Sequence, residues 1–172
     1  MRIAIVTGAS SGLGREFVRQ LSEKATAPGA KDADRIDEIW AIARRREKLE
    51  ALDREVALPV RVVPLDLTRK ESVQTLSDLL AQQQPDVRIL INAAGFAKIG
   101  TYRDITRADN DDMIDLNCRA AVDVTVIALP YMHRGRRGGG LQDAAAAGDI
   151  GQGDYRHLHR GAGGEMADVG VV

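Results

Sequence analysis

With one cysteine, Cys118, in 172 residues, the chain has no means of building an internal disulfide framework, and it suits a reducing compartment. It also lacks charge of one sign. The formal net charge is −1, so no global basic field argues for nucleic acid or an anionic membrane surface, and a small partner is expected. No apolar run approaches the length of a membrane span, and the apolar start at Ile3 is broken by Gly8 too soon for a secretory core segment. A cytoplasmic chain is expected. At this length a single domain buries roughly 70% of the surface that its unfolded form exposes.

What is present begins at once. Ile3 to Val6 is a continuous apolar segment of the kind a doubly buried parallel strand requires, and Gly8, Gly12 and Gly14 follow it directly. Gly8 permits a tight turn, Gly12 lets backbone approach a pyrophosphate, and Gly14 lets the next helix lie close on the strand. Leu13, Phe17 and Leu21 then recur at helical spacing. The turn therefore opens a helix whose free N–H groups and positive dipole end face a ligand, with Ser10, Ser11 and Leu13 among the residues presented to it. A plain strand-to-helix connection is the competing reading, and the surrounding strand and helix favour the nucleotide turn.

The rest of the chain repeats strand then helix. A polar loop with Pro28-Gly29 runs from Glu23 to Arg35, and Glu38 to Ala43 is the second strand. Leu49, Leu52 and Val56 mark the buried stripe of a helix, and Val60 to Leu65 is the third strand. Thr68 with Glu71 forms a capping-box pattern ahead of Val73, Leu76 and Leu80. Val87 to Ile91 is the fourth strand, and a helix from about Asp109 to Tyr131 follows. This alternation predicts an α/β fold, a Rossmann-type doubly wound parallel sheet with strand order 3-2-1-4 and helices on both faces. A ligand would sit at the crevice between strands one and four, where Gly8 to Gly14 and Asn92 to Gly95 both fall.

From Arg134 the composition changes. Residues 134–172 hold eleven of the seventeen glycines and no lysine, serine, threonine, asparagine, proline or phenylalanine. A fifth strand is due here, yet Arg134-Gly-Arg-Arg-Gly-Gly-Gly140 cannot form one. The chain therefore divides into residues 1–133, an incomplete nucleotide-binding domain, and residues 134–172, an irregular tail rich in Gly, Ala and Arg. Either the tail is flexible or the reading frame changes after Tyr131-Met132, and the composition favours the frame change.

Several residues are candidates for chemistry. The second strand ends Ala43-Arg44-Arg45 with no carboxylate to accept from a ribose 2′-OH, and Arg44 or Arg45 can offer paired donors to a 2′-phosphate. Arg15 stands nearby at the start of the first helix. The competing reading makes Arg44 to Arg46 the solvated start of a helix; beside a phosphate turn the balance favours NADP over NAD. Asp66 can accept from an adenine amino group while the Leu67 backbone lines the ring, and it can equally be a turn residue. Asn92, Ala93, Ala94 and Gly95 leave room for a ribose and let the Asn side chain fix the turn. Asn117 lies on a helix stripe with Met113, Ala121 and Val124, where the bland reading is a buried Asn satisfied by a helix carbonyl or a water. No metal site is expected: His157-x-His159, with Asp154 and Glu165 nearby, has no strand pattern to converge its side chains.

Thr7-Gly-Ala-Ser-Ser-Gly-Leu-Gly14, Asp66-Leu67, Asn92-Ala-Ala-Gly95 and Asn117, in order and at family-like intervals, closely resemble the short-chain dehydrogenase/reductase family over about residues 1 to 133. The resemblance implies an NAD(P)-dependent oxidoreductase that transfers hydride between nicotinamide and a carbonyl or hydroxyl carbon. It implies an active-site role for Asn117, shaping the helix and holding a water in a proton relay, and a basic Arg44 as in NADP-preferring members. It implies a homo-oligomer for a full-length relative, an implication that carries over poorly to this chain. Members also carry a Ser after the fifth strand and a Tyr-x-x-x-Lys on the next helix. Here the last serine is Ser77, the last lysine is Lys98, and Tyr155 is followed by Arg-His-Leu-His. The expectation is a chain that retains the cofactor-binding half and is inactive, because no ammonium is available to stabilise a tyrosinate. The alternative from another class is a non-catalytic NADP-binding or interaction module with a genuine tail.

Overall fold

Parallel strands covered on both faces need apolar residues at nearly every position. In the computed structural model, which describes residues 1–29 and 35–132, β1 (Arg2–Thr7) and β2 (Glu38–Ala43) are buried at every residue after their first. They form the centre of a four-stranded parallel sheet. β3 (Val60–Pro64) pairs with β2 and β4 (Asp86–Asn92) with β1, giving the order β3-β2-β1-β4. This is the Rossmann-type arrangement and strand order that the sequence predicts. The expectations for residues 134–172, with their boundary after 133, and for the His157-x-His159 pattern lie outside the described residues.

Alternate side chains of the strands build two cores. Ala4, Val6, Ile39 and Ala41 pack against Val18 of α1 (Gly12–Thr26) and against Leu49 and Leu52 of α2 (Arg46–Glu55). Ile3, Ile5, Trp40 and Ile42 point the other way. They meet Leu76 and Leu80 of α3 (Lys70–Gln83) and Ala120, Val124 and Ala128 of α5 (Ala120–Met132). At 10 residues α2 is marginal on its own. Leu49 and Leu52 are almost wholly buried, contribute roughly 1.5–3 kcal/mol each, and so fix it to the sheet.

Four details differ from the sequence expectations. The buried face of α1 runs through Gly14, Val18 and Ser22, while Leu13 is 64% exposed, because the glycine and not the leucine must face the strand. The capping box expected from Thr68 and Glu71 does not form. The Asp66 carboxylate, a stronger acceptor close at hand, takes both the Thr68 hydroxyl (2.8 Å) and its N–H (3.2 Å), and α3 starts after Arg69 without a side-chain cap. The box sits instead at Thr106, whose hydroxyl accepts from the Asp109 N–H while Asp109 accepts from the Thr106 N–H, opening α4 (Arg107–Ile114). Finally, the single helix expected over Asp109 to Tyr131 is α4, a π turn at Asp115–Arg119, and α5.

β4 carries an irregularity of its own. Its register with β1 steps from Ile3 opposite Val87 to Ala4 opposite Ile89, so Arg88 has no partner on β1 and turns outward to the Asp86 carboxylate at 2.7 Å. Among the described residues β4 is an edge strand.

Candidate functional site

The glycine turn is built by close approach. Gly8 has φ +67°, and a Cβ there would lie 2.5 Å from the Ala93 carbonyl oxygen, so the turn after β1 rests directly on the turn after β4. A Cβ on Gly14 would lie 2.5 Å from the Gly8 oxygen, which lets α1 start against the strand end. Gly12 is different. It has φ +54° with nothing within 4 Å of a Cβ, so its missing side chain leaves open space above the N-terminus of α1.

Thr7 locks the two turns together. Its hydroxyl oxygen, on a residue 1% exposed, accepts from the N–H groups of Ala93 and Ala94, each at 3.0 Å, and its proton lies toward the Ile91 carbonyl at 3.5 Å. Thr7 opens the glycine motif, yet the motif by itself assigns it no role. Nothing local in the sequence marks the role it takes, because both donors lie on the turn after β4.

Above these turns lies a cavity of about 300 Å³ lined by Gly8, Ser10, Ser11, Gly12 and Leu13 from the first turn. Arg44, Arg45, Asp66, Leu67, Ala93, Ala94 and Gly95 complete the residues that the sequence singled out, and Ile42, Ala43, Leu65 and Leu116 are additional lining. Leu116 had no signal in the sequence, because only the π turn sets its direction. The Arg45 guanidinium donates to Ser10 Oγ at 3.0 Å and Ser11 Oγ at 2.9 Å, which holds a cation at the mouth of the turn. Burial works against the Asp66 carboxylate. The Thr68 hydroxyl and N–H and the charges of Arg44 and Arg69 outweigh it, holding that carboxyl below its ordinary value and ionised at neutral pH. Arg15 is not part of the cavity lining; both oxygens of Glu55 take its Nη2, at 2.8 and 2.7 Å.

Three expected residues stand outside the cavity. Gly14 is buried beneath the turn. The Asn92 amide donates to Thr125 Oγ1 of α5 at 3.0 Å instead of fixing the turn, a task that Thr7 performs, and Asn92 Oδ1 is buried without a hydrogen-bond partner among the described residues. Asn117 is exposed, not buried, and bonds neither a helix carbonyl nor a neighbour on its own stripe. Its Oδ1 accepts from the Phe96 N–H and its Nδ2 donates to the Phe96 carbonyl, both at 2.9 Å, so one side chain in the π turn pins the segment that leaves Gly95. A Cβ on Gly95 would come 3.0 Å from that same Oδ1.

Among the described residues no cluster of His, Cys, Asp and Glu can hold a metal ion, and no helix is long and apolar enough to cross a membrane. A strand order reversing beside a glycine-rich turn, with an open cavity over the carboxyl ends of the strands, is the ligand crevice of a doubly wound α/β protein. The particular family follows from the sequence of that half-sheet. Residues 2–150 match the family model of the short chain dehydrogenases, and the chain belongs to that family. The match runs past residue 133, where the sequence reading ended the resemblance.

An uncharacterized oxidoreductase of Staphylococcus aureus is 33% identical over 132 residues, 76% of this chain and 52% of the relative. A short-chain dehydrogenase from Streptomyces avermitilis superposes with a TM-score of 0.59 at 30% identity, over 76% of this chain and 45% of that one. A short-chain dehydrogenase from Sphingobium yanoikuyae, solved in complex with NADPH, gives 0.62 at 25% identity, over 76% of this chain and 48% of that one. The chain spans about half the length of the curated relatives it matches.

Proposed function

We propose that this chain is the dinucleotide-binding part of an NAD(P)-dependent oxidoreductase, that it prefers NADP to NAD, and that its 172 residues bind the dinucleotide without turning it over. The observation that carries this reading is the Arg45 guanidinium seated on Ser10 and Ser11 at the rim of the cavity. A fixed, planar cation at the end of β2 fits a 2′-phosphate, with Arg44 beside it, and no carboxylate there competes for a 2′-OH.

The cradle fits the rest of such a ligand. Gly8 and Gly12 with the N–H groups opening α1 would meet a pyrophosphate. Asp66 and Leu67 would border an adenine, and Ala93 to Gly95 would leave room for a ribose. Bound there, the dinucleotide supplies a hydride acceptor or donor for a carbonyl or hydroxyl carbon. Asn117 would serve as a positioning residue through Phe96, since it does not line the cavity. Catalysis would still need a serine after a fifth strand and a tyrosine with its lysine. No Tyr-x-x-x-Lys occurs in the sequence, and general acid–base help of that kind is worth about 10²–10⁴ in rate. A reducing setting such as the cytoplasm suits the exposed thiol of Cys118.

Titration calorimetry with the whole chain tests the binding. NADP should bind at least about tenfold more tightly than NAD, and Arg45→Ala should remove most of that difference, as expected for charge-assisted hydrogen bonds. A tie between NADP and NAD in the unsubstituted chain would sink the preference. Any carbonyl-dependent oxidation of NADPH by the purified chain would sink the claim of inactivity.

A further inference from the structure

We propose that the groove between α3 and α5 is a second binding site in this chain, and that it takes a small zwitterion of the apolar α-amino acid class. It is separate from the cavity above the glycine turn and shares no lining residue with it.

The groove holds about 590 Å³, within the range of small-molecule pockets. Lys70, Val73, Gln74 and Ser77 line it from α3, at the i, i+3, i+4, i+7 spacing of one helix face. Arg119, at the end of the π turn, and Asp123 and Ile127 of α5 line the other side at steps of four. At 1.5 Å per residue each stripe runs about 10–12 Å, which suits a small molecule and is too short to seat a helix.

Two of the polar groups are already engaged. Gln74 donates to Asp78 at 2.8 Å and Arg119 holds Asp115 at 2.8 Å, each bound to an acid four residues away on its own helix. What is left is an ammonium and a carboxylate. Among the described residues neither Lys70 nor Asp123 has a hydrogen bond or an ion pair, although both face the same groove. Lys70 gains nothing from its place in the first turn of α3, where the helix dipole disfavours a cation. Asp123 is part-buried, so it has given up hydration for which no donor compensates. A ligand carrying both signs satisfies both groups: its carboxylate meets Lys70, and its ammonium meets Asp123 with the Ser77 hydroxyl as a further acceptor on the same groove. Val73 and Ile127, both part-buried, form an apolar wall that a hydrocarbon side chain would cover. A ligand with one charge would leave the other group as it stands.

The test is a titration of the whole 172-residue chain, nitrogen-labelled and followed by its amide shifts in NMR. The probes are L-leucine, 4-methylpentanoate, which lacks only the ammonium, and 3-methylbutylamine, which lacks only the carboxylate. Leucine should move the amides of residues 70–77 and 119–127 and leave residues 8–14 in place, saturating below about 10 mM, with each analogue at least about tenfold weaker. Asp123→Asn should weaken leucine by about tenfold and bring it level with 4-methylpentanoate, and Lys70→Gln should bring it level with 3-methylbutylamine. Neither side chain belongs to the buried core, so both variants should fold. Absence of shifts with leucine at about 10 mM overturns the inference. So does equal binding of the three probes, which would make the groove merely apolar, and so does a leucine advantage that survives either substitution.

Discussion

Thr7 concentrates more of the site in one atom than any other residue. Its hydroxyl oxygen holds two backbone N–H groups of the opposite turn in a fully buried position. Thr7→Val keeps the shape and strands those donors, so it should cost about 1–3 kcal/mol in urea unfolding and weaken NADP binding, whereas Thr7→Ser should lose little. The glycines separate stability from binding. Gly8→Ala puts a methyl 2.5 Å from the Ala93 oxygen at a positive φ and should destabilise the fold by roughly 3 kcal/mol or more. Gly12→Ala meets only the backbone penalty, about 1–2 kcal/mol, but places its methyl where a phosphate would come, so calorimetry should show binding lost from a folded protein. The glycines were readable because their spacing is local. Thr7 was not, since its partners are 86 and 87 residues away and a strand-end threonine looks the same with or without them.

At the scale of elements, the segment between Gly95 and the π turn is held by two pins. One is Asn117 on the Phe96 backbone. The other is Asp109, which takes the Lys98 ammonium at 2.7 Å together with the Thr106 hydroxyl and N–H, and whose carboxyl is pushed down to about 2 by those three partners in that order. A depressed carboxyl stabilises above its unfolded value, near 3.8, and loses that contribution as pH falls toward 2. The protection of amides at residues 98–109, relative to their intrinsic exchange at each pH, should therefore fall between about pH 4 and pH 2 before the sheet unfolds, and Asp109→Asn should abolish that step. Thr106→Ala removes the cap and should cost about 0.5–2 kcal/mol. The long helix was legible from its apolar stripe, but the π turn was not. The one-residue surplus over Asp115–Arg119 has no residue type of its own to announce it, and it is this surplus that directs Leu116 and Asn117 to their separate tasks.

For the whole molecule, alternation and crossover handedness point to a parallel sheet with helices on both faces, and the order β3-β2-β1-β4 follows from the Rossmann-type topology that the glycine turn marks. The same order leaves β4 at the sheet edge among the described residues, beside an α5 that exposes Val122, Val126 and Leu129 by 41–60%. Light scattering should detect concentration-dependent self-association, and Val126→Glu should reduce it without changing nucleotide binding. Another property follows from the hydroxyl that ties the end of β1 to the start of the turn after β4. Those groups are separated by 86 and 87 residues. On a ribosome adding about 5–20 residues per second, the turn at the chain's start waits on the order of ten seconds for its far wall to be synthesised. For most of that interval β1 has β2 available beside it but lacks β4. The two turns therefore close on each other late in synthesis, and a ligand or chaperone meeting the nascent chain earlier would find the turn after β1 without its far wall.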